Sequence, residues 1–158
     1  MNSAFRDFLN RSWDLADRLA ELFEEREVLN ANCTSMTANY TNIGSSGAGG
    51  NACDSPLAAR VDLVDRIKRC KQELIDAEAE LTRFCEQLGR RDSLVLRYRY
   101  VLRLPWNLVQ TSMQAKGFYS NSLRTLFYWH EAAIRSAEKF WEENYYAVAN
   151  ERKFERRD

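Results

Sequence analysis

The stretch LVLRYRYVLRLPWNLVQTSMQAKGFYSNSLRTLFYWHEAAI, Leu94 to Ile134, decides the fold, because three short apolar periodicities follow one another with turn chemistry between them. The first predicts a helix with Leu94, Tyr98 and Val101 on one face. The second predicts a helix that starts at Pro105 and buries Trp106 and Val109, and the third one that buries Leu123, Leu126, Phe127 and Ile134. Pro105 suits a first helical position, where its missing N–H would be unpaired anyway. Gly117 can end the second helix at positive φ, and Ser120 or Ser122 can cap the third. This order predicts a helix-turn-helix.

Upstream, Phe8, Leu15, Leu22 and Leu29 recur every seven residues, flanked by Phe5, Leu19 and Phe23, which predicts a helix from about Ser3 to Leu29. Asn30 to Asp54 is rich in Asn, Thr, Ser, Ala and Gly without an apolar period, and reads as a mobile loop. A second long helix is expected from a Ser55 cap and Pro56 to a stop at Gly89, with Leu63, Ile67, Cys70, Leu74, Ala77, Leu81, Phe84 and Leu88 spaced three and four apart as a seam. Two such stripes bury one another most simply as an antiparallel hairpin, though the same seam can pair between two chains. Downstream, nothing interrupts the third helix before Phe140, Trp141, Tyr145 and Tyr146. That aromatic extension either folds back as core or forms a dimer contact. The expected fold is therefore all-α: a helical hairpin over 1–89 with a loop at 30–54, a helix-turn-helix with an extended last helix over 90–150, and a charged tail over 151–158.

The formal net charge of zero conceals an asymmetry. Residues 1–89 carry a net −5. Residues 90–141 carry nine cations against Asp92, Glu131 and Glu138, a net +6, so the basic excess coincides with the predicted helix-turn-helix. No apolar run approaches the ~20 residues that span a bilayer, and the charged start MNSAFRDFLNRSWD is unlike a secretory signal, which together predict a cytoplasmic protein. Cys33, Cys53, Cys70 and Cys85 lack zinc-type spacing and are expected as reduced thiols. GSSGAGG lacks the Gly-Lys-Ser/Thr of a phosphate-binding loop, and the acidic clusters Glu21, Glu24, Glu25, Glu27 and Asp76, Glu78, Glu80 lack the His partners of a di-iron bundle. His130, alone beside Trp129, reads as a structural histidine. No enzyme chemistry, cofactor or metal is expected.

The residues Arg99-Tyr100, Trp106, Val109, Ser122, Leu126 and His130 resemble a family of phage-encoded proteins, related to ArpU-type late-gene regulators, whose C-terminal helix-turn-helix is like region 4 of bacterial sigma factors. The likeness extends to the family's N-terminal order of helix, polar loop and long helix. This chain departs at Pro105, where the family has Ser or a similar residue, at Trp129, where it has Leu, and in a turn around Gln114-Ala115-Lys116 about three residues longer, which leaves both Ser120 and Ser122 as starts for the third helix. The resemblance implies a DNA-binding transcriptional regulator of a phage or prophage, acting in a bacterial host on double-stranded DNA.

On such a fold the outward start of the last helix enters the major groove. Asn121, Arg124, Thr125 and Tyr128 fall outside the apolar stripe and are the candidate base contacts, Arg124 first. Arg97, Arg99, Arg103 and Lys116 on the preceding segments are the candidate phosphate contacts. For any one of those cations a solvated helix face explains it equally well, and only the joint excess favours DNA. The alternative function is a protein-interaction module that binds a host protein such as RNA polymerase, with the helix-turn-helix as scaffold. A homodimer would favour a palindromic site with half-sites ~34–36 Å apart.

Overall fold

The computed structural model describes residues 2–40 and 54–144, with side chains described for 2–32 and 58–144. All regular structure among the described residues is helical: α1 (Ser3–Tyr40), α2 (Asp54–Cys85), α3 (Arg90–Leu96), a π-helical turn (Arg97–Val101), α4 (Trp106–Ala115) and α5 (Leu123–Asn144). None of these helices is long and apolar enough to cross a membrane. Two compact units are present, one from the described residues of Met1–Trp13 and Asp76–Asp158, the other from those of Asp14–Ile75. α1 and α2 each contribute to both.

In the 14–75 unit the expected stripes are the buried ones, with Leu15 and Leu22 from α1 and Leu63, Ile67 and Cys70 from α2. The Cys70 thiol donates to the Leu15 carbonyl at 3.5 Å, Arg66 pairs with Glu25 at 3.2 Å and Arg60 donates to Asn30 Oδ1 at 2.7 Å. Partners thus descend along α2 as they ascend along α1. The two exposed polar contacts add little, and burial of the apolar stripe, at roughly 25 cal/mol per Å² of apolar surface, is what holds the pair.

Two boundaries differ from expectation. Residues 30–40, expected as loop, are helical, and α1 continues to Tyr40. The chain there contains no Pro or Gly before Gly44, and Asn, Thr and Ser weaken a helix by only tenths of a kcal/mol each (~0.5) without breaking it. The remainder of the expected loop, 41–53, lies outside the described residues, as do Tyr145, Tyr146 and the 151–158 tail. α2 begins at Asp54, so Ser55 is already helical, and it stops at Cys85 instead of at Gly89. Its end closes with i→i+3 bonds from Gln87 N–H to the Phe84 carbonyl at 3.1 Å and from Leu88 N–H to the Cys85 carbonyl at 3.0 Å. Such bonds satisfy the last carbonyls without a left-handed glycine. Gly89, at φ −56°, instead opens α3, its carbonyl accepting Ser93 N–H at 2.9 Å.

The other unit has two apolar clusters. One joins Phe5 and Leu9 of α1, Leu81, Phe84 and Cys85 of α2, Leu96 of α3, and Ala133, Ala137 and Trp141 of α5. Phe84 meets Phe5, Phe8 and Phe140 with ring centroids 6.2, 5.3 and 5.7 Å apart, in tilted or edge-on geometry suited to aromatic quadrupoles. The second cluster joins Val95, Val109, Met113 and Leu126, with Leu94, Tyr98, Trp106 and Trp129 packed around it. Core positions on α3 are therefore Val95 and Leu96, whereas Leu94, Tyr98 and Val101 are only half-buried. Beyond Leu96 the π-helical turn, with its wider i→i+5 bonding seen in Leu102 N–H to the Arg97 carbonyl at 2.9 Å, breaks the 3.6-residue period that was expected to run through Tyr98 and Val101. On α5 the expected stripe is partly overturned: Leu126 is buried and Ile134 half-buried, but Leu123 and Phe127 are exposed, and the inward face is completed by Ala133, Ala137 and Trp141. The small side chains of Ala133 and Ala137 carry little apolar weight in an apolar periodicity, so spacing alone does not mark them as core.

Candidate functional site

The segment between α4 and α5 is specified almost atom by atom. Pro105, at φ −64° and ψ 155°, is the N-cap of α4 and not its first helical residue, and its carbonyl accepts Val109 N–H at 3.0 Å. At the other end Gly117 has φ +88°, as expected. Its N–H reaches the Gln114 carbonyl at 2.9 Å, and Phe118 N–H reaches that of Met113 at 3.0 Å. These two bonds form a Schellman motif, with Phe118 and Met113 in apolar contact beside it.

The two serines have different tasks. Ser120 is buried, and its carbonyl accepts the side-chain amides of Gln110 at 3.0 Å and Gln114 at 3.2 Å, while its hydroxyl donates to the Ser122 carbonyl at 3.0 Å. Ser122 is the cap: α5 starts at Leu123, and the Thr125 N–H donates to Ser122 Oγ at 3.3 Å. Neither glutamine was singled out in the sequence, since their contact requires the turn to be closed first.

Of the candidate base contacts, Asn121 and Arg124 are exposed, Tyr128 is 65% exposed, and Thr125 is half-buried with its hydroxyl hydrogen-bonded to Ser122 Oγ at 3.2 Å. Asn121 precedes α5 and the other three lie in its first two turns, where Leu123 and Phe127 are 41% exposed each, with Tyr119 just before the helix 77% exposed.

The four candidate phosphate contacts separate into two kinds. Arg99 is structurally engaged: its guanidinium lies 4.9 Å from the ring centroids of both Trp13 and Trp106 and donates to the Leu104 carbonyl at 3.0 Å. Arg103 holds a left-handed backbone at φ +53° and pairs with Glu78 at 2.7 Å. By contrast, Arg97 and Lys116 line one groove of about 470 Å³ together with Glu86, Leu88, Arg90, Ser93 and Leu94. Arg90, 5.8 Å from the Phe118 ring centroid, carries no signal in the sequence beyond its charge.

No protein-family model, curated protein or solved structure matches the chain.

His130 sits behind the exposed face. Its Nε2 is 3.2 Å from the Tyr100 hydroxyl, the two rings stack at 5.8 Å, and Trp106 meets the imidazole edge-on at 5.0 Å. Burial lowers its pKa below the ordinary 6.5, aided by the Arg99 charge and opposed by Glu131, so the imidazole is neutral near pH 7. Burial likewise raises the Tyr100 hydroxyl above its ordinary value. It pushes the Cys85 thiol up to about 12, against the lowering pull of Arg97. Neither group has the polarity of a nucleophile or base poised for neutral pH. Among the described residues no three His, Cys, Asp or Glu side chains gather as metal ligands would.

Proposed function

We propose that the chain is a DNA-binding transcriptional regulator of phage or prophage type, in which α4 and α5 act as a helix-turn-helix and the start of α5 reads the major groove of duplex DNA. The observation that carries this reading is the exposed, Ser122-capped start of α5, where Asn121 just before the helix and Arg124 and Tyr128 in its first two turns are all exposed, next to a turn fixed by the Schellman motif and the two glutamines. A reading head of this kind has to be rigid where it meets bases, since a bidentate Arg contact to guanine tolerates little angular error. The net +6 of residues 90–141 and the resemblance to ArpU-type regulators support the same assignment. α1 and α2 are then a supporting antiparallel hairpin, available for dimerisation or for a contact with RNA polymerase.

A second reading, an interface for a host protein, draws on Leu108, Tyr119, Leu123 and Phe127, which are large, apolar and exposed in the same unit. Trp141 is not part of such a surface, being buried against Phe5 with ring centroids 5.9 Å apart.

Selection of randomised duplexes by the purified protein, followed by titration from about 50 to 200 mM salt, separates the two. Enrichment of a motif with a steep salt slope is expected. In that motif Arg124→Ala should cost about 1–3 kcal/mol at one base pair and leave non-specific binding nearly unchanged. Absence of any enriched motif would set the DNA reading aside in favour of the protein interface.

A further inference from the structure

Nine cations lie between residues 90 and 141, and the structure accounts for most of them. Arg91 pairs with Asp92, Arg103 with Glu78, Arg135 with Glu131 and Lys139 with Glu143, while Arg99 is held by two tryptophans and a carbonyl. The other four, Arg90, Arg97, Lys116 and Arg124, form no ion pair among the described residues. Three of those four line one groove between the end of α2, the start of α3 and the end of α4. Like charges gathered in one concavity repel one another unless an anion is bound there, and a groove focuses their field more strongly than a convex surface does.

We infer that the groove lined by Arg90, Arg97 and Lys116 seats a phosphoryl group. Two guanidiniums and an ammonium supply charge-assisted donors for its oxygens, and Ser93, a largely buried residue of the same lining, carries a neutral hydroxyl. The one carboxylate in the lining, Glu86, opposes the anion and so sets a limit on its affinity. Lys116 directly precedes Gly117 and Phe118, and Arg90 lies over the Phe118 ring, so the groove adjoins the turn that carries the start of α5. A backbone phosphate of a duplex held by α5 is the source we favour, and that choice rests on the DNA reading above; free phosphate or pyrophosphate has the same chemistry.

The test uses the full chain with Arg90→Gln, Lys116→Gln and Glu86→Gln, all at exposed positions, in duplex titrations against salt and in thermal melts with and without pyrophosphate. For a DNA phosphate, Arg90→Gln and Lys116→Gln each weaken every duplex by the same factor and lower the salt slope by about one, while Glu86→Gln tightens binding. The gain cannot arise from misfolding. For a free ligand, pyrophosphate raises the wild-type melting temperature and not that of Lys116→Gln, and duplex binding is unchanged by the variants or absent. Stabilisation by pyrophosphate in a protein that binds no duplex would remove the DNA reading and keep the groove. Variants that bind duplex as the wild type does, in a protein that pyrophosphate does not stabilise, would overturn the inference. So would absence of both duplex binding and pyrophosphate stabilisation in the wild type.

Discussion

Arg99 shows how far a residue's role can move between sequence and fold. As one of three arginines in RYRYVLR it reads as part of a basic face, yet its planar guanidinium is packed against Trp13 and Trp106 and bonded to a backbone carbonyl. Each aromatic face is worth about 0.5–2 kcal/mol and the charged hydrogen bond about 1.5–3. We expect Arg99→Ala to lower unfolding free energy by roughly 2–4 kcal/mol in urea titrations, with Arg99→Lys recovering less than half because an ammonium cannot stack in this way. Unchanged stability in Arg99→Ala would return this residue to the pool of phosphate contacts. His130 makes a second prediction at this scale. Its folded pKa lies below the ordinary 6.5, so the unfolded chain binds more protons as pH falls through that value. The contribution of this histidine is thus complete above about pH 7 and is lost progressively below about 6.5. Urea midpoints of wild type and His130→Gln, compared at about pH 7.5 and about pH 5.5, should diverge less at the lower pH. Equal divergence at both would exclude the linkage.

At the scale of elements, α4 and α5 are terminated by identifiable chemistry and positioned by small residues. A Cβ placed on Gly117 meets nothing within 4 Å, so the cost of Gly117→Ala comes from the φ of +88° alone. We expect a loss of about 1 kcal/mol, readable as a shift in melting temperature. Ala133 presents a different case. It is fully buried in the cluster with Leu96 and Phe84, so Ala133→Leu has no free volume to occupy and should cost roughly 1–3 kcal/mol. A neutral Ala133→Leu would show that α5 can shift away from its neighbours, and with it the whole exposed face. Gly117, Pro105 and the serines were legible as punctuation because their chemistry is local. The π-helical turn was not, since no residue type specifies it and the wide bonding is imposed by what packs on either side.

For the whole molecule, the cluster that supports α5 takes Phe5 and Leu9 from α1 and Leu81, Phe84 and Cys85 from α2. A fragment beginning at residue 90 discards all five, and we expect it to show weak far-UV ellipticity and no cooperative melt. A cooperative transition in that fragment would establish that the C-terminal segment folds alone, as the boundary read from charge and periodicity at 89/90 suggests. By itself the sequence determined that the described chain is helical, which stripes on α1 and α2 turn inward, where α4 ends, and that the positive charge gathers after residue 89. Those properties follow from spacing and from the local preferences of Gly, Pro and Ser, which act within a few residues. Only the tertiary structure decided that Ser122 and not Ser120 caps α5, that Leu123 and Phe127 face outward while Ala133 and Ala137 face inward, and that Arg97, Lys116 and Arg90 share a groove from which Arg99 and Arg103 are withdrawn. Each of these depends on residues distant in the chain arriving at one place. Burial, pairing and charge focusing are properties of that meeting, and no single stretch of sequence contains them.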